Sequence, residues 1–454
     1  MADTTVHILI LDEVGTPSLN KAASYTSFVS PSDNVRLLII SSKGALSDAD
    51  KADSLAYVEL ATPTTNGLVE VEASALHAKH RIDRIYTKQE DLILRASLLR
   101  ELLGIKNGLN YQDAILFRDK EAMKRIVKHA AFPVPSFARV YSPASILQFL
   151  QMEHLPIILK PTLGSASAGI TVLRTDAELK KHLEKEFYER IDDKGKCMDY
   201  SASGDIIVEA FVDPATSKMY HVNGYAQNGA LKIVWPFAYI QTNLGFTTGK
   251  AYGNVLIPQS DPKNAKLLEA TEKVLKALPT VDHLIFHLEL FETKRKASGA
   301  QEGGETTEFV LCEIAARRPG GSIGGLIGLA ENYNFAEMEF RLSNGLPLRQ
   351  DRSSVAPIVK HPNFSLGDLL IPRRIGKLLS IPGSVSLCPV SDVQYFPIAK
   401  SGTEYTGFHI STMNTAARLV VTMEDGSAEA VQAKLAEAQN WFDAEVRYEI
   451  TLRQ

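Results

Sequence analysis

The chain's 454 residues, 45% apolar and 22% charged, can bury a large core and favour about two or three domains. A formal net charge of −4 argues against a nucleic-acid partner. Cys197, Cys312 and Cys388 are far apart, odd in number and without a CxxC pair. That argues against a disulfide framework or a zinc site and fits a reducing, cytoplasmic setting.

Val6–Leu11 and Arg36–Ile40 are continuous leucine and β-branched runs, as in parallel strands covered on both faces. The first is too short for a signal segment, and no later run approaches the length of a membrane span, so no membrane partner is expected. Between them Asn20–Ser30 is polar and weakly helical. Leu76–Lys79 and Asp91–Leu103 have helical spacing, and Ile82–Tyr86 is a short strand between them. This alternation over residues 1–112 predicts a small open α/β domain. It lacks a Gly-x-Gly-x-x-Gly turn, which leaves a dinucleotide site little support.

Arg118–Ala130 forms a basic helix, ended by Pro133 and Pro135. The strand Pro156–Pro161 carries Lys160 near its end and opens into the small-residue loop Gly164–Gly169 before the strand Ile170–Leu173. Such a hairpin loop can lay backbone N–H groups along a phosphate chain. Asp205–Val212 is another strand, with Glu209 near its end. Met219–Tyr225 and Leu231–Ile240 read as antiparallel partners joined at Asn228-Gly229. Residues 241–254 have a loop composition, Pro262–Ala277 is helical, and Leu284–Phe291 and Glu308–Ile314 are strands. The polar stretch Thr293–Thr307 between the last two reads as a surface hairpin loop. Beyond residue 355 come strand candidates Ser384–Leu387 and Ala417–Val421, a helix Ser427–Phe442 and a strand Val446–Leu452.

The residues that carry chemistry gather late in the chain. Glu289 and Glu313 sit in apolar strand-like segments, where a carboxylate needs a counter-charge. Magnesium bridging phosphate oxygens would serve; an edge acid facing water is the plain alternative. Lys160 leaves an apolar strand directly before the glycine loop, although a lysine such as Lys120 is more often a surface residue. Arg317 follows Glu313 into the break at Pro319-Gly320-Gly321 and either caps its strand or stabilises charge on a transferring group. His287 reads as a core histidine, Cys312 as inert, and Trp235–Tyr239 as pocket wall or core.

Taken in order, Asp119-Lys120, Lys160-Pro161, the Gly/Ser loop, Glu209-Ala-Phe-Val212, Glu289 and Glu313-Ile-Ala-Ala-Arg317 resemble the ATP-grasp superfamily of carboxylate–amine ligases. Glu90-Asp-Leu running into Arg118-Asp-Lys, with Met219-Tyr-His-Val-Asn-Gly, is most similar to its L-amino acid ligase branch. The resemblance implies an α/β (α+β) architecture of four parts: a pre-ATP-grasp domain (1–112), a nucleotide-clamping subdomain (113–212), a large catalytic subdomain (213–354) and a C-terminal lid (355–454). It implies that Lys120 and Lys160 hold the α and β phosphates of ATP, and that Gly164, Ser165, Ser167 and Gly169 belong to a loop closing over the triphosphate. Glu209 starts the hinge, where backbone groups of Ala210 and Val212 meet the adenine edge. Glu289 and Glu313 hold Mg2+, or Mn2+ in its place, and Arg317 steadies the acyl phosphate.

Ala315 departs from the pattern, standing where an asparagine usually helps bind the second metal, and Asn332 is a candidate replacement. Asp213 is the candidate for the ribose. The expected activity is amide formation from a small carboxylate and an amine, one of them an amino acid, by a homodimer. A nucleotide-binding regulator with impaired chemistry and an ATP-grasp enzyme with a non-amine acceptor are the alternatives.

Overall fold

The computed structural model describes residues 5–13, 24–165, 167–185, 205–241, 243–246, 249–296, 305–349, 362–383, 388–406 and 414–449. Cys197 and the expected strand Ser384–Leu387 lie outside the described residues.

The apolar runs at the N-terminus become β1 (Val6–Asp12) and β2 (Val35–Ser42), which pair in parallel with β3 (Ala56–Leu60) and β4 (Arg84–Tyr86) in the order β3-β2-β1-β4. Both faces are covered, as continuous hydrophobicity requires. Leu9, Leu11, Leu38 and Ile40 pack with Val69, Ala73, Ala96 and Leu99 of the helices Leu68–His80 and Ile93–Leu103. Ile8, Ile10, Leu37 and Ile39 pack against Tyr25, Phe28 and the distant Phe340.

A second sheet, antiparallel, contains β5 (Phe137–Val140), β6 (Ile157–Pro161), β7 (Thr171–Leu173) and β8 (Ile206–Ala210) in the order β5-β8-β6-β7. The basic helix beside it runs from Lys120 to His129, and Asp119 caps it by accepting the N–H groups of Glu121 and Ala122.

The large part follows with β9 (Lys218–Gln227), β10 (Ala230–Gln241), β11 (Tyr252–Leu256), β12 (His283–Lys296) and β13 (Glu305–Ala315). After residue 362 come β14 (Ser365–Pro372), β15 (Gly376–Ser380), β16 (Val393–Pro397), β17 (Glu404–Tyr405), β18 (Thr415–Met423) and β19 (Arg447–Glu449). Eight of these strands make one sheet, ordered β13-β12-β9-β10-β11-β14-β18-β16; β17, β15 and β19 form a small sheet. The turn between β9 and β10 has positive φ at Asn228 (49°) and Gly229 (77°), the left-handed pair that a tight hairpin demands.

Strand alternation divides the eight-stranded sheet into two faces. Val222, Phe286, Leu288, Leu290, Leu369, Leu419 and Val421 meet Leu267 and Val274 of the helix Pro262–Ala277 and Leu435 and Phe442 of the helix Ala428–Glu445. The opposite face carries Trp235, Phe237, Ile285 and Val420 under Ile323, Leu326 and Ile327 of the helix Ile323–Glu331. Where that helix does not reach, the second face is polar. The hairpin of β12 and β13 is longer than its polar composition suggests: Thr293↔Glu308, Lys294↔Thr307, Arg295↔Thr306 and Lys296↔Glu305 are ladder pairs, so the strands continue through much of the expected loop. Residues 297–304 of that loop lie outside the described ones. No helix among the described residues is long and apolar enough to cross a membrane.

Candidate active site

A cavity of about 1270 Å³ opens between β6 and β8, the polar face of the large sheet and the Lys88–Asp91 segment that follows β4. Its floor is the β12–β13 hairpin. Glu289 and Glu313 stand directly opposite each other across it. Two like charges in such a pair repel, so the arrangement calls for cations. Lys120 Nζ lies 3.2 Å from Glu313 Oε2, and the Tyr239 hydroxyl donates to Glu289 Oε1 at 2.6 Å. The surrounding protein works against the charge of Glu313, but Lys120, Lys160 and Arg317 outweigh it, and the carboxyl pKa falls to about 2. Glu313 is therefore ionised at neutral pH.

The predicted lysines converge here. Lys120 opens its helix and also donates to the carbonyl of Gly164 at 2.6 Å, tying that helix to the glycine loop. Lys160 donates to Glu209 Oε2 at 3.0 Å, while Lys124 Nζ lies 3.5 Å from Glu209 Oε1 and is wholly buried. Burial opposes the charge of Glu209, and the two lysines overcome it, holding its pKa below the ordinary carboxylate value. Burial likewise works against Lys160, yet Glu209 and Glu313 keep its pKa above that of an ordinary lysine. Gly164, Ser165, Ser167 and Gly169 lie along the cavity's edge, and Ala166 is outside the described residues. Gly169 has φ of +71°, and a Cβ there would come within 2.7 Å of Pro161 Cγ, so glycine is required to fold the loop onto the strand end.

Ala210 and Val212 line the cavity, but the Ala210 N–H already donates to the Ser136 carbonyl at 2.9 Å, which removes it as a donor to a ligand. Val212 N–H has no partner among the described residues. Glu209 points into the lysine pair rather than toward a ligand edge. Asp213 is exposed and accepts from the N–H of Ala215 at 2.8 Å, a local turn contact.

Arg317 is gripped from the N-terminal part of the chain. Its Nε donates to Glu90, whose other oxygen accepts from Arg118. Burial pushes the Glu90 pKa up, but Arg317 and Arg118 bring it below the ordinary value. Directly opposite Ala315 stands His287, whose Nε2 is 3.4 Å from Glu289 Oε1. Asn332 lines the cavity too, but it is the C-cap of the nine-residue helix, roughly 15 Å along the axis from Ser322. Cys312 is buried, and burial pushes its thiol pKa up to about 12, in keeping with an inert cysteine.

No model of a known protein family matches the chain. It is 26% identical over 306 residues to the L-arginine-specific L-amino acid ligase of Bacillus subtilis, a match covering 65% of this chain and 64% of that relative. The chain thus spans just under two thirds of the relative's length. Among solved structures it superposes on an L-amino acid ligase from Bacillus licheniformis with a TM-score of 0.65 and 14% identity, covering 98% of this chain and 99% of that one. An ADP complex of N5-carboxyaminoimidazole ribonucleotide synthetase matches with a TM-score of 0.61 and 14% identity over 96% of this chain and 97% of that one. The chain has the ATP-grasp fold. What sequence motifs do not reveal is the long-range set: Glu90 on Arg317, Lys124 beneath Glu209, and Arg318, His287 and Arg418 on the cavity wall. Glu90 carried a signal as part of the motif leading to Arg118, and Tyr239, also on the cavity wall, as part of the Trp235–Tyr239 segment read as pocket wall or core.

Proposed function

We propose that this ATP-grasp chain is an ATP-dependent carboxylate–amine ligase acting on small molecules, with an amino acid as one substrate. The observation that carries the proposal is the convergence of Glu289 and Glu313, opposed across one hairpin, with Lys120, Lys160 and Arg317 around one cavity. A relative that is an L-amino acid ligase and a neighbour solved with ADP support it.

The donor set fits magnesium. Two hard carboxylates facing each other, with nearby lysines for phosphate, are what Mg2+ uses when it is bound jointly by protein and substrate phosphates. Mg2+ held by Glu289 and Glu313 would neutralise phosphate charge as a Lewis acid.

The chain's own side chains do the positioning. Lys120 and Lys160 hold the phosphates, the Gly164–Gly169 loop covers them, and Val212 N–H meets the base. A substrate carboxylate oxygen attacks the terminal phosphorus, the bond to the bridging oxygen breaks, and ADP departs, leaving an acyl phosphate. The amine nitrogen then attacks the acyl carbon, phosphate leaves, and the amine proton is released to solvent. Arg317, oriented by Glu90, stabilises negative charge in both steps. Excluding water protects the acyl phosphate from hydrolysis. The test is a screen of small acids paired with amines for amine-dependent ADP release, with the product identified by mass. Arg317→Ala should abolish amide formation while ATP still binds. ADP release from no pair would support the regulator alternative instead.

A further inference from the structure

Two rungs of the β12–β13 ladder share the cavity face: Glu289 opposite Glu313 and, two residues back along β12, His287 opposite Ala315. Ala315 ends at its methyl group and offers nothing to a ligand, so His287 is the polar side chain of its rung. Glu313 has Lys120 as its counter-cation, whereas among the described residues no lysine or arginine pairs with Glu289. The neighbours of Glu289 are the Tyr239 hydroxyl, which donates to Oε1, and His287 Nε2, 3.4 Å from the same oxygen. Both residues are buried and both line the cavity. A buried carboxylate with no basic partner calls for a cation.

The orientation of the His287 ring follows from what lies behind it. Asn223 aims its amide nitrogen at the Trp235 carbonyl, 3.4 Å away, which can only accept. Its oxygen therefore faces His287 Nδ1, at 2.7 Å, and Nδ1 carries the hydrogen. In the neutral ring Nε2 then presents a lone pair toward Glu289. An imidazolium donating to that carboxylate would approach to about 2.7–2.9 Å, and the observed 3.4 Å is longer. Two ligands about 2.1 Å from one cation stand about 3.0–3.4 Å apart when the angle between them is about 90–110°. A histidine that ligates a metal almost always donates its other ring N–H to an oxygen, which fixes the ring, and Asn223 supplies that oxygen here.

We propose that His287 Nε2 binds, beside Glu289, the divalent cation that accompanies ATP, and that this nitrogen turns the site toward Mn2+ or Co2+ in preference to Mg2+. This rests on the nucleotide site of the function proposed above. Mg2+ is a hard cation that takes oxygen ligands, whereas a mixed nitrogen and oxygen site binds transition metals more strongly, in the order Mn2+ below Co2+. Among the described residues no three His, Cys, Asp or Glu side chains gather to enclose an ion, so phosphate oxygens and water complete the shell.

The test needs neither acid nor amine. Mn2+ and ADP are bound to the whole chain, and electron spin-echo spectroscopy registers any nitrogen bonded directly to the metal. The wild type should show that nitrogen coupling, and isotopic replacement of the histidine nitrogens should change its pattern, a comparison that requires no substitution. In His287→Gln the coupling should vanish, and the affinity for Mn2+ should fall at least about tenfold relative to that for Mg2+. Bound Mn·ADP without a coupling that histidine labelling alters would overturn the inference and leave the ligase reading standing on Glu289 and Glu313. A coupling that persists in His287→Gln would overturn it too, as would equal losses of Mn2+ and Mg2+ affinity, the mark of a histidine that only packs the sheet. Failure of Mn·ADP to bind would overturn the nucleotide site and this inference together. ADP release from no acid–amine pair, with the coupling present, would remove the ligase reading alone.

Discussion

Glu209 stands between Lys124 and Lys160 with about 1% of its surface exposed, and its single negative charge serves both. Lys124 is further satisfied by the carbonyls of Leu311 and Cys312, so one side chain links the basic helix to β13. Burial nonetheless holds the Lys124 pKa below that of an ordinary lysine. Removing the carboxylate leaves two buried cations facing each other. Glu209→Gln should therefore lower unfolding stability by about 3 kcal/mol, the cost typical of breaking a buried pair. Adding Lys124→Met to Glu209→Gln should restore part of that loss, with a coupling of about 1–3 kcal/mol measured by a urea double-mutant cycle. Strictly additive losses would show that the two charges do not interact.

The strands of the large sheet carry a continuous polar line across its second face. Arg418 on β18 donates to Asp368 Oδ2 at 3.0 Å, and Asn254 on β11 donates to Asp368 Oδ1 at 2.9 Å. Because a carboxylate only accepts, Asn254 must turn its amide nitrogen to Asp368 and its oxygen to His221 Nε2, 3.1 Å away. His221 Nε2 then carries the hydrogen, and Nδ1 accepts from Asn223 on β9 at 3.0 Å. Asn223 Oδ1 is left for His287 Nδ1 at 2.7 Å, and His287 faces Glu289. Every link follows from the one before. Nitrogen-detected NMR should find His221 as the Nε2–H tautomer; an Nδ1–H tautomer would break the order. Asn254→Leu should leave Asp368 and His221 short of partners and cost about 2 kcal/mol or more. Much of the hairpin geometry was legible beforehand, because Glu289 and Glu313 lie on consecutive strands and alternation sends them to one face. Lys160 at a strand end and the Gly320-Gly321 break are equally local signals. The polar line was not legible: His221, Asn223, Asn254 and Asp368 each look like a satisfied core residue alone, and only the order β12-β9-β10-β11-β14-β18 aligns them. The expected hairpin loop failed for the same reason, since ladder pairing of Thr293–Lys296 outweighs their polar composition.

The parallel N-terminal sheet is held over the cavity by contacts from residues 340–349, which the sequence separates from it by about three hundred positions. Arg341 makes a two-pronged ion pair with Asp33, Nη2 to Oδ1 at 2.7 Å and Nη1 to Oδ2 at 2.8 Å, and also donates to the Phe28 carbonyl. Arg349 adds a bond to the Ser27 carbonyl at 2.6 Å. Phe340 fills the aromatic group of Tyr25, Phe28 and Tyr86 between them. This joint sets where Lys88–Asp91, and hence the Glu90 grip on Arg317, meet the cavity. The Arg341 hydrogen bonds lower the Asp33 pKa to about 2, against the opposing effect of burial. An unfolded chain binds that proton more tightly than the folded one. The stabilisation is therefore complete above about pH 4 and disappears as the pH falls through about 2. At neutral pH it amounts to about 2 kcal/mol. Asp33→Asn should lose that amount at pH 7, measured by urea unfolding, and should approach the wild type as both are taken below pH 3. It should also weaken amide formation more than ATP binding, because the nucleotide contacts proposed above lie on β6 and β8, whereas Arg317 is gripped from the segment that the joint places. Equal stability of the two proteins at pH 7 would remove Asp33 from the joint, and an unaltered ratio of ligation to ATP binding would show that Glu90 holds Arg317 without its help.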